Sequence, residues 1–185
     1  KAVFLAQGND DPRALCFGAL VDHVDVPRLR RSAEMGFAFA QAWMFNHSDG
    51  VERFLLASRA AAQGERDGFY FLGYCYKTGD GCERDLEKAK ENFLLAAQMD
   101  LVGAMLNYGA LLDETDPQQW RWWGLTAARG YSWNFLTNFP SLVDRFESDP
   151  SLAPVVFMIG RALRGHIDTE KREIFSSGYR FDACF

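Results

Sequence analysis

Residues 64–100 read GERDGFYFLGYCYKTGDGCERDLEKAKENFLLAAQMD, and this stretch decides the fold. Apolar side chains stand three and four residues apart in each half of it, the spacing that places them on one face of a helix. Gly79 and Gly81 interrupt the pattern between the halves, and Asp85 then offers an N-cap for a second helix. The stretch therefore predicts two helices joined by a tight turn. The two predicted buried stripes are Phe69, Leu72, Cys75 and Tyr76, and then Leu86, Ala89, Phe93 and Ala96.

The pattern recurs on both sides of this stretch, which indicates internal repeats. Comparable units run from residue 31 to 64, from 64 to 100 and from 100 to 130, so their lengths are 33, 36 and 30 residues. Nine residues into each unit stands a small side chain, at Ala40, Gly73 and Gly109. A small residue in a fixed column lets two helix backbones approach, and a large residue nearby fills the groove. We therefore expect core columns that contain Trp43, Tyr76, Phe93 and Trp123.

The third unit has a clear start signal for its second helix. Asp116 stands at the expected N-cap and Pro117 at the first helical position. Gln119 is expected to reach back to the cap, as in a capping box. Trp120 and Trp123 then continue the predicted buried face of this helix.

The middle unit carries small, aromatic and capping residues at fixed distances. They are Leu72-Gly73, Tyr76, Gly79-Asp80-Gly81, Asp85, Lys88-Ala89, Phe93 and Ala96-Ala97. This combination resembles the Sel1-like repeat, a branch of the tetratricopeptide-like helical repeats, and the outer two units follow in register. The resemblance spans roughly residues 32–133. It implies an all-α fold, an α/α solenoid of helix-turn-helix repeats with helical caps.

The resemblance divides the chain into three parts. Residues 32–133 hold three Sel1-like repeats, and residues 134–185 form a C-terminal helical cap with a helix predicted over 151–163. Residues 1–31 form an N-terminal helical cap or a degenerate adaptor-binding segment. Terminal repeats need covering, which is the role that we expect of the caps. Residues 1–31 also show a faint similarity to an F-box, because a proline precedes leucine-rich helices and a basic stretch.

The composition is that of a folded, acidic protein. The chain has 185 residues, of which 48% are hydrophobic and 15% aromatic, and this excludes disorder for its bulk. A net charge of −5 disfavours nucleic acid as a partner. No apolar run reaches the roughly 20 residues of a membrane span. Four cysteines in a chain of this length indicate reduced thiols, and hence a cytoplasmic or nuclear protein.

Patterns typical of catalysis are sparse in this sequence. His23, His47 and His166 lie far apart, and none stands at the spacing of metal ligands. Cys75 falls on a predicted buried stripe, where a thiol acts as a small hydrophobic side chain. The Gly79–Gly81 segment fits a turn better than a phosphate or calcium loop. We therefore expect no enzyme activity, no cofactor and no metal site.

A second stripe on the first helix of each unit gives the functional expectation. In the family that the chain resembles, these helices line a concave surface. On the middle unit the stripe contains Tyr70, Tyr74 and Lys77, and tyrosine suits recognition of a peptide or helix. The alternative is that neighbouring repeats or caps cover these side chains. The expected partner-binding residues are Phe37, Gln41, Met44, Tyr70, Tyr74, Lys77 and Trp122.

These expectations favour a non-enzymatic protein-interaction module. It would serve as an adaptor, a scaffold or a subunit of a larger assembly, and its partner would be a protein or peptide. Two alternatives stay open. One is an F-box-like substrate receptor of a ubiquitin ligase, which residues 1–31 would anchor. The other is a hydrolase that joins His47 or His166 to carboxylates in the groove.

Overall fold

The structure is a computed structural model, and it describes residues 11–21, 24–113 and 116–129. The regular elements in those residues are all helical: eight α-helices and a short 3₁₀ helix at Phe45–His47. The predicted cap over residues 134–185 lies outside the described residues. The α-helices are α1 Pro12–Leu20, α2 Val26–Glu34, α3 Ala38–Met44, α4 Gly50–Ala62, α5 Arg66–Thr78, α6 Leu86–Gln98, α7 Val102–Leu111 and α8 Pro117–Ala128.

The helices fall into two compact units, which divide after Ala104 near the start of α7. In the first unit each of the helices α1 to α5 packs against the next one in the chain, and α3 also contacts α5. The pairs α3–α4 and α5–α6 are the helix pairs predicted from residues 31–64 and 64–100. Contact between α3 and α5 joins the first helices of these two repeats. The first unit thus has the predicted repeat arrangement.

The α5–α6 connection is the tight turn that the glycines predict. Helix α5 ends at Thr78 and is capped by Gly79, whose φ of 78° is in the left-handed region that favours glycine. Its backbone N–H donates a bond of 2.7 Å to the carbonyl oxygen of Cys75, which closes the last helical turn. Asp85 then caps α6, because its carboxylate accepts a bond of 3.0 Å from the backbone N–H of Lys88.

Small residues permit the close helix contacts that the repeat columns predict. Ala40 is fully buried. A Cβ atom on Gly73 would lie 3.0 Å from a ring carbon of Phe93, so the aromatic ring occupies the space above the glycine. The contact at Gly68 is tighter, since a Cβ there would lie 2.5 Å from the backbone nitrogen of Ala61. Helices α4 and α5 therefore approach backbone to backbone.

The core of the first unit corrects two predicted positions. Trp43, predicted in a core column, exposes 37% of its surface, whereas the adjacent Met44 is fully buried. One residue on an α-helix is a rotation of about 100°, so a register error of one residue exchanges the core face for the surface. The prediction for Leu86 is also wrong, because this first residue of α6 is 41% exposed. Phe93 is fully buried, as predicted.

The interhelical loops of the first two repeats are joined by Arg53 on α4. Its guanidinium donates bonds to the carbonyl oxygens of Phe45, at 3.1 Å, and Ser48, at 3.0 Å. It also donates a bond of 2.6 Å to the carboxylate of Asp80 in the next repeat. A single side chain therefore connects one loop to the other.

Helix α8 packs against α7 in the second unit through a tryptophan and a glycine. A Cβ on Gly109 would lie 2.4 Å from the indole nitrogen of Trp123, so the small residue at this position admits the tryptophan of the next helix. Asp116 caps α8 as predicted, by accepting a bond of 2.8 Å from the backbone N–H of Gln118. Gln119 does not complete the predicted capping box. Its side-chain amide instead donates a bond of 3.1 Å to the carbonyl oxygen of Gly109. Within the described ranges, no helix is both long and apolar enough to cross a bilayer.

Candidate partner-binding surface

Four aromatic rings on α1 and around α3 form a continuous surface cluster, which we call the aromatic ladder. The ring of Phe17 on α1 has its centroid 6.1 Å from that of Phe37 and 5.9 Å from that of Phe39. Phe39 is in turn 6.1 Å from Trp43 by the same measure. Phe17 is 44% exposed and Trp43 37% exposed, while Phe37 and Phe39 are half-buried. The ladder is therefore a partly exposed apolar strip that bridges two helices.

The helical spacing of α3 explains why the ladder faces outward. Phe39 and Trp43 are four residues apart and so share one face of the helix. Ala40 and Met44 are each one residue further along, and both are fully buried against the core. Phe37 and Phe39 pack onto that core from above. The aromatic strip therefore lies directly over the buried core.

Two of the expected partner-binding residues belong to the core and not to the surface. Met44 is fully buried, and Gln41 is only 3% exposed. The amide nitrogen of Gln41 donates a bond of 3.1 Å to the carbonyl oxygen of Ala33, and its amide oxygen accepts a bond of 2.9 Å from Gln63. The structure thus corrects the expectation that Gln41 and Met44 line a groove, because their side chains face neighbouring helices.

The expected stripe on α5 is partly covered by its neighbours. Tyr74 is 39% exposed, and its ring meets the ring of Phe45 edge-on at a centroid distance of 5.9 Å. Tyr70 is half-buried, with its ring 5.8 Å from that of Phe93 and against Gly103. Lys77 is also half-buried. The structure thus leaves Tyr74 accessible and places Tyr70 largely in a contact between helices.

Trp122, the last expected residue, lies in the second unit. Its ring is half-buried and meets Tyr108 edge-on, with the ring centroids 5.4 Å apart. This contact joins α8 to α7, and part of the indole remains accessible to solvent.

Two solved structures resemble the chain in fold. The crystal structure of a Sel1 repeat protein from Oxalobacter formigenes matches with a TM-score of 0.54 at 20% identity, over 64% of this chain and 58% of that chain. The crystal structure of c5321, a protective antigen of uropathogenic Escherichia coli strains with an SLR fold, matches with a TM-score of 0.62 at 20% identity, over 83% of this chain. This chain has the Sel1-like repeat fold.

The Sel1-like assignment confirms the predicted fold class, an all-α solenoid of helical repeats. The likeness is one of structure, because no protein-family model matches the sequence. No curated protein matches it either. The chain spans 58% of the Oxalobacter protein and 36% of c5321, so both relatives extend beyond the matched region.

Sequence reasoning missed three members of the ladder on the Sel1-like scaffold, Phe17, Phe39 and Trp43. Phe39 and Trp43 stand at the i and i+4 positions of one helix, and this spacing was available in the sequence. Phe17 carried no such signal, because its neighbours Phe37 and Phe39 are about twenty residues away in the chain. Only the packing of the helices brings these three rings together.

The three cysteines of the described residues lack the environment of a nucleophile. Burial raises the pKa of the Cys16 thiol to about 11. Burial, reinforced by the nearby charge of Asp80, raises the pKa of the Cys75 thiol to about 12. The pKa of Cys82 is also raised by burial. The thiolate is the reactive form, so these three thiols are held in the unreactive state at neutral pH.

The hydrolase alternative requires a pocket that joins His47 or His166 to carboxylates. A hollow of about 110 Å³ between α2 and α4 does not provide this arrangement. Its charged lining comprises Arg30 and Glu34 from α2 and Glu52 and Arg59 from α4, and His47 is not part of it. His47 is exposed at the end of the 3₁₀ helix, and His166 lies outside the described residues. Within those residues, no three His, Cys, Asp or Glu side chains form a group suited to a metal ion.

Proposed function

We propose that the chain is a non-enzymatic protein-interaction module that binds a segment of a partner protein through the aromatic ladder. The observation that carries the proposal is the exposure of Phe17 and Trp43 in one continuous strip with Phe37 and Phe39. Large aromatic side chains are favoured anchors at protein interfaces, because each ring buries a large apolar area. In this role the chain serves as an adaptor, a scaffold or a subunit of a larger assembly.

The packing of the ladder supports the same proposal. Phe37 and Phe39 pack against buried core residues, and Phe17 and Trp43 contact those two rings, so neighbouring side chains already hold the strip together before a partner binds. Ordering side chains on binding costs free energy, and a surface that is ordered in advance avoids that cost. An ordered aromatic strip is therefore suited to capture a flexible segment.

The accessible part of the α5 stripe forms a second element of the proposal. Tyr74 is 39% exposed and stands one helical turn before Lys77. The first helices of Sel1-like repeats are adjacent here, since α3 contacts α5. We therefore assign Tyr74 and Lys77 to a surface that an extended partner reaches after the ladder.

The test uses a random dodecamer peptide library displayed on phage and selected on the immobilised protein. Selected peptides are then titrated against the double variant Phe17→Ala/Trp43→Ala. We expect affinity to fall about tenfold or more, as for interface anchors elsewhere. The melting temperature should fall, because the Phe17 and Trp43 rings lose their contacts with Phe37 and Phe39, so the titrations are made at a temperature at which circular dichroism shows both proteins folded. The matched control is Leu95→Ala, which removes a side chain of 44% exposure from α6.

The control variant should bind the selected peptides as the parent does. Peptides that bind the double variant and the parent equally well contradict the assignment to the ladder. If Tyr74→Ala abolishes binding and the double variant does not, the binding site lies on α5 and not on the ladder.

A further inference from the structure

One end of the aromatic ladder carries an exposed positive charge. Arg13 stands four residues before Phe17 on α1, so the two side chains lie on the same face one turn apart. Arg13 is exposed, and across the part of the chain that the structure describes no carboxylate forms an ion pair with its guanidinium. Its backbone N–H donates a bond of 2.9 Å to the side chain of Asp11, the N-cap.

The charge of Arg13 does not stabilise α1. It stands in the first turn, where the helix dipole disfavours a cation and favours an anion. Asp11 uses a carboxylate oxygen to cap the helix. An acidic group on a partner would thus be attracted by the exposed guanidinium, since Asp11 already occupies the capping position at the positive end of the helix.

The opposite end of the same helix face is apolar. Val21 stands four residues after Phe17, keeps a helical backbone conformation, and is 58% exposed. Arg13, Phe17 and Val21 therefore form a line about 12 Å long, at a rise of about 1.5 Å per residue. Charge at one end and apolar surface at the other give the line a direction.

We propose that the ladder binds a short apolar segment whose acidic side chain pairs with Arg13. This inference rests on the proposed function and specifies the chemistry of its partner. The apolar side chains of the segment lie over Phe17 and Trp43, and the acidic group lies beyond them toward the start of α1. Charge complementarity therefore fixes the orientation in which the segment binds.

The experiment repeats the dodecamer selection on three immobilised proteins: the parent, the Arg13→Glu variant and the control Arg59→Glu. Arg59 is an exposed arginine on α4, so its replacement changes the net charge equally at a site away from α1. We expect the parent and the control to enrich peptides that combine apolar residues with Asp or Glu. The Arg13→Glu variant should enrich Lys or Arg at that position instead.

Titration of one selected peptide completes the test. Replacing its acidic residue with Lys should weaken binding to the parent about fivefold and strengthen binding to Arg13→Glu, as charge exchange at an exposed pair predicts. Circular dichroism should show the Arg13→Glu variant folded, because a glutamate is favoured in the first turn of a helix. The same measurement is required of Arg59→Glu, since Arg59 lies in the last turn of α4, where a glutamate is disfavoured.

The outcomes separate this inference from the proposed function. Peptides that need Phe17 and Trp43 but show no acidic preference overturn the inference and leave the proposed function intact. Peptides that bind without Phe17 and Trp43 overturn both. A third outcome is that the parent protein self-associates and the Phe17→Ala/Trp43→Ala variant does not. The ladder would then bind a second copy of the chain, and this result also overturns the inference.

Discussion

Gln41 and Trp43 stand two residues apart on α3 and occupy environments opposite to their polarity. The polar Gln41 is 3% exposed, whereas the aromatic Trp43 is 37% exposed. Burial of Gln41 is tolerated because both ends of its amide are hydrogen-bonded, to Ala33 and Gln63. The amide therefore ties α3 to the ends of α2 and α4. Residue type alone therefore gives the wrong buried face for this helix. The available hydrogen-bond partners, and not the polarity of the side chain, decide whether Gln41 is buried.

The buried thiols lead to a prediction about stability at alkaline pH. The ordinary pKa of a thiol is 9.0, and burial raises it to about 11 at Cys16 and about 12 at Cys75. Well below pH 9 both thiols are protonated whether the chain is folded or unfolded, so there they have almost no effect on the free energy of unfolding. Above pH 9 the unfolded thiols ionise first, and the free energy of unfolding falls as pH rises toward these raised values.

Denaturant unfolding at about pH 8 and about pH 10.5 measures this effect, which should be of order 1 kcal/mol per thiol. The double variant Cys16→Ala/Cys75→Ala should lose less stability between the two pH values than the parent. The half-buried Cys82 provides the control, since Cys82→Ala should remove a smaller part of the pH dependence. An equal loss in parent and double variant would show that these thiols ionise normally.

At the scale of the element, the α5–α6 hairpin could be predicted from the sequence because the residues that determine it are close together in the chain. Cap, turn and apolar stripes of this hairpin all lie within residues 64–100. Helix α3 has only seven residues, and its apolar side chains surround it, so periodicity could not fix its rotation. The contact of Phe17 with α3 depends on tertiary packing and has no local signal. The fold was therefore predictable from the sequence, whereas the ladder was only partly so.

The loops between helices allow a direct test of glycine's two roles. Gly81 has a φ of 73°, and a Cβ on it would lie 2.1 Å from the carbonyl oxygen of Gly50. Gly64 has a similar φ of 79°, but nothing lies within 4 Å of the corresponding Cβ position. Both replacements by alanine strain the backbone. Only the replacement at Gly81 also pushes the loops of two repeats apart.

We expect Gly64→Ala to lower the free energy of unfolding by about 1 kcal/mol, the cost of a left-handed alanine. Gly81→Ala should cost about 2 kcal/mol more, because a collision with backbone cannot be relieved by a side-chain rotation. Urea unfolding of the two variants gives the difference directly. Equal losses would mean that the loops separate without cost.

At the scale of the whole molecule, the question is how strongly one repeat stabilises the next. In repeat proteins, stability is a sum of intrinsic repeat terms and contacts between neighbours, so weakening one contact lets the repeats unfold separately. Arg53 contributes to that contact by several bonds at once. Its guanidinium donates hydrogen bonds to the carbonyl oxygen of Ser48 in its own repeat and to the carboxylate of Asp80 in the next repeat. The guanidinium also lies 4.8 Å from the ring centre of Phe45.

The variant Arg53→Met keeps the apolar length of the side chain and removes every hydrogen bond. It should lower the free energy of unfolding by about 2 kcal/mol, because the carbonyl oxygens of two residues lose a charged donor. Asp80→Asn removes only the ion pair of a partly exposed arginine and should cost about 0.5 kcal/mol. If Arg53 couples the repeats, unfolding of Arg53→Met followed by circular dichroism and by tryptophan fluorescence should give separate midpoints, whereas Asp80→Asn keeps them together. Coincident midpoints in both variants would show that the helix contacts of α5 with α4 and α3 carry the coupling, since neither substitution removes these contacts.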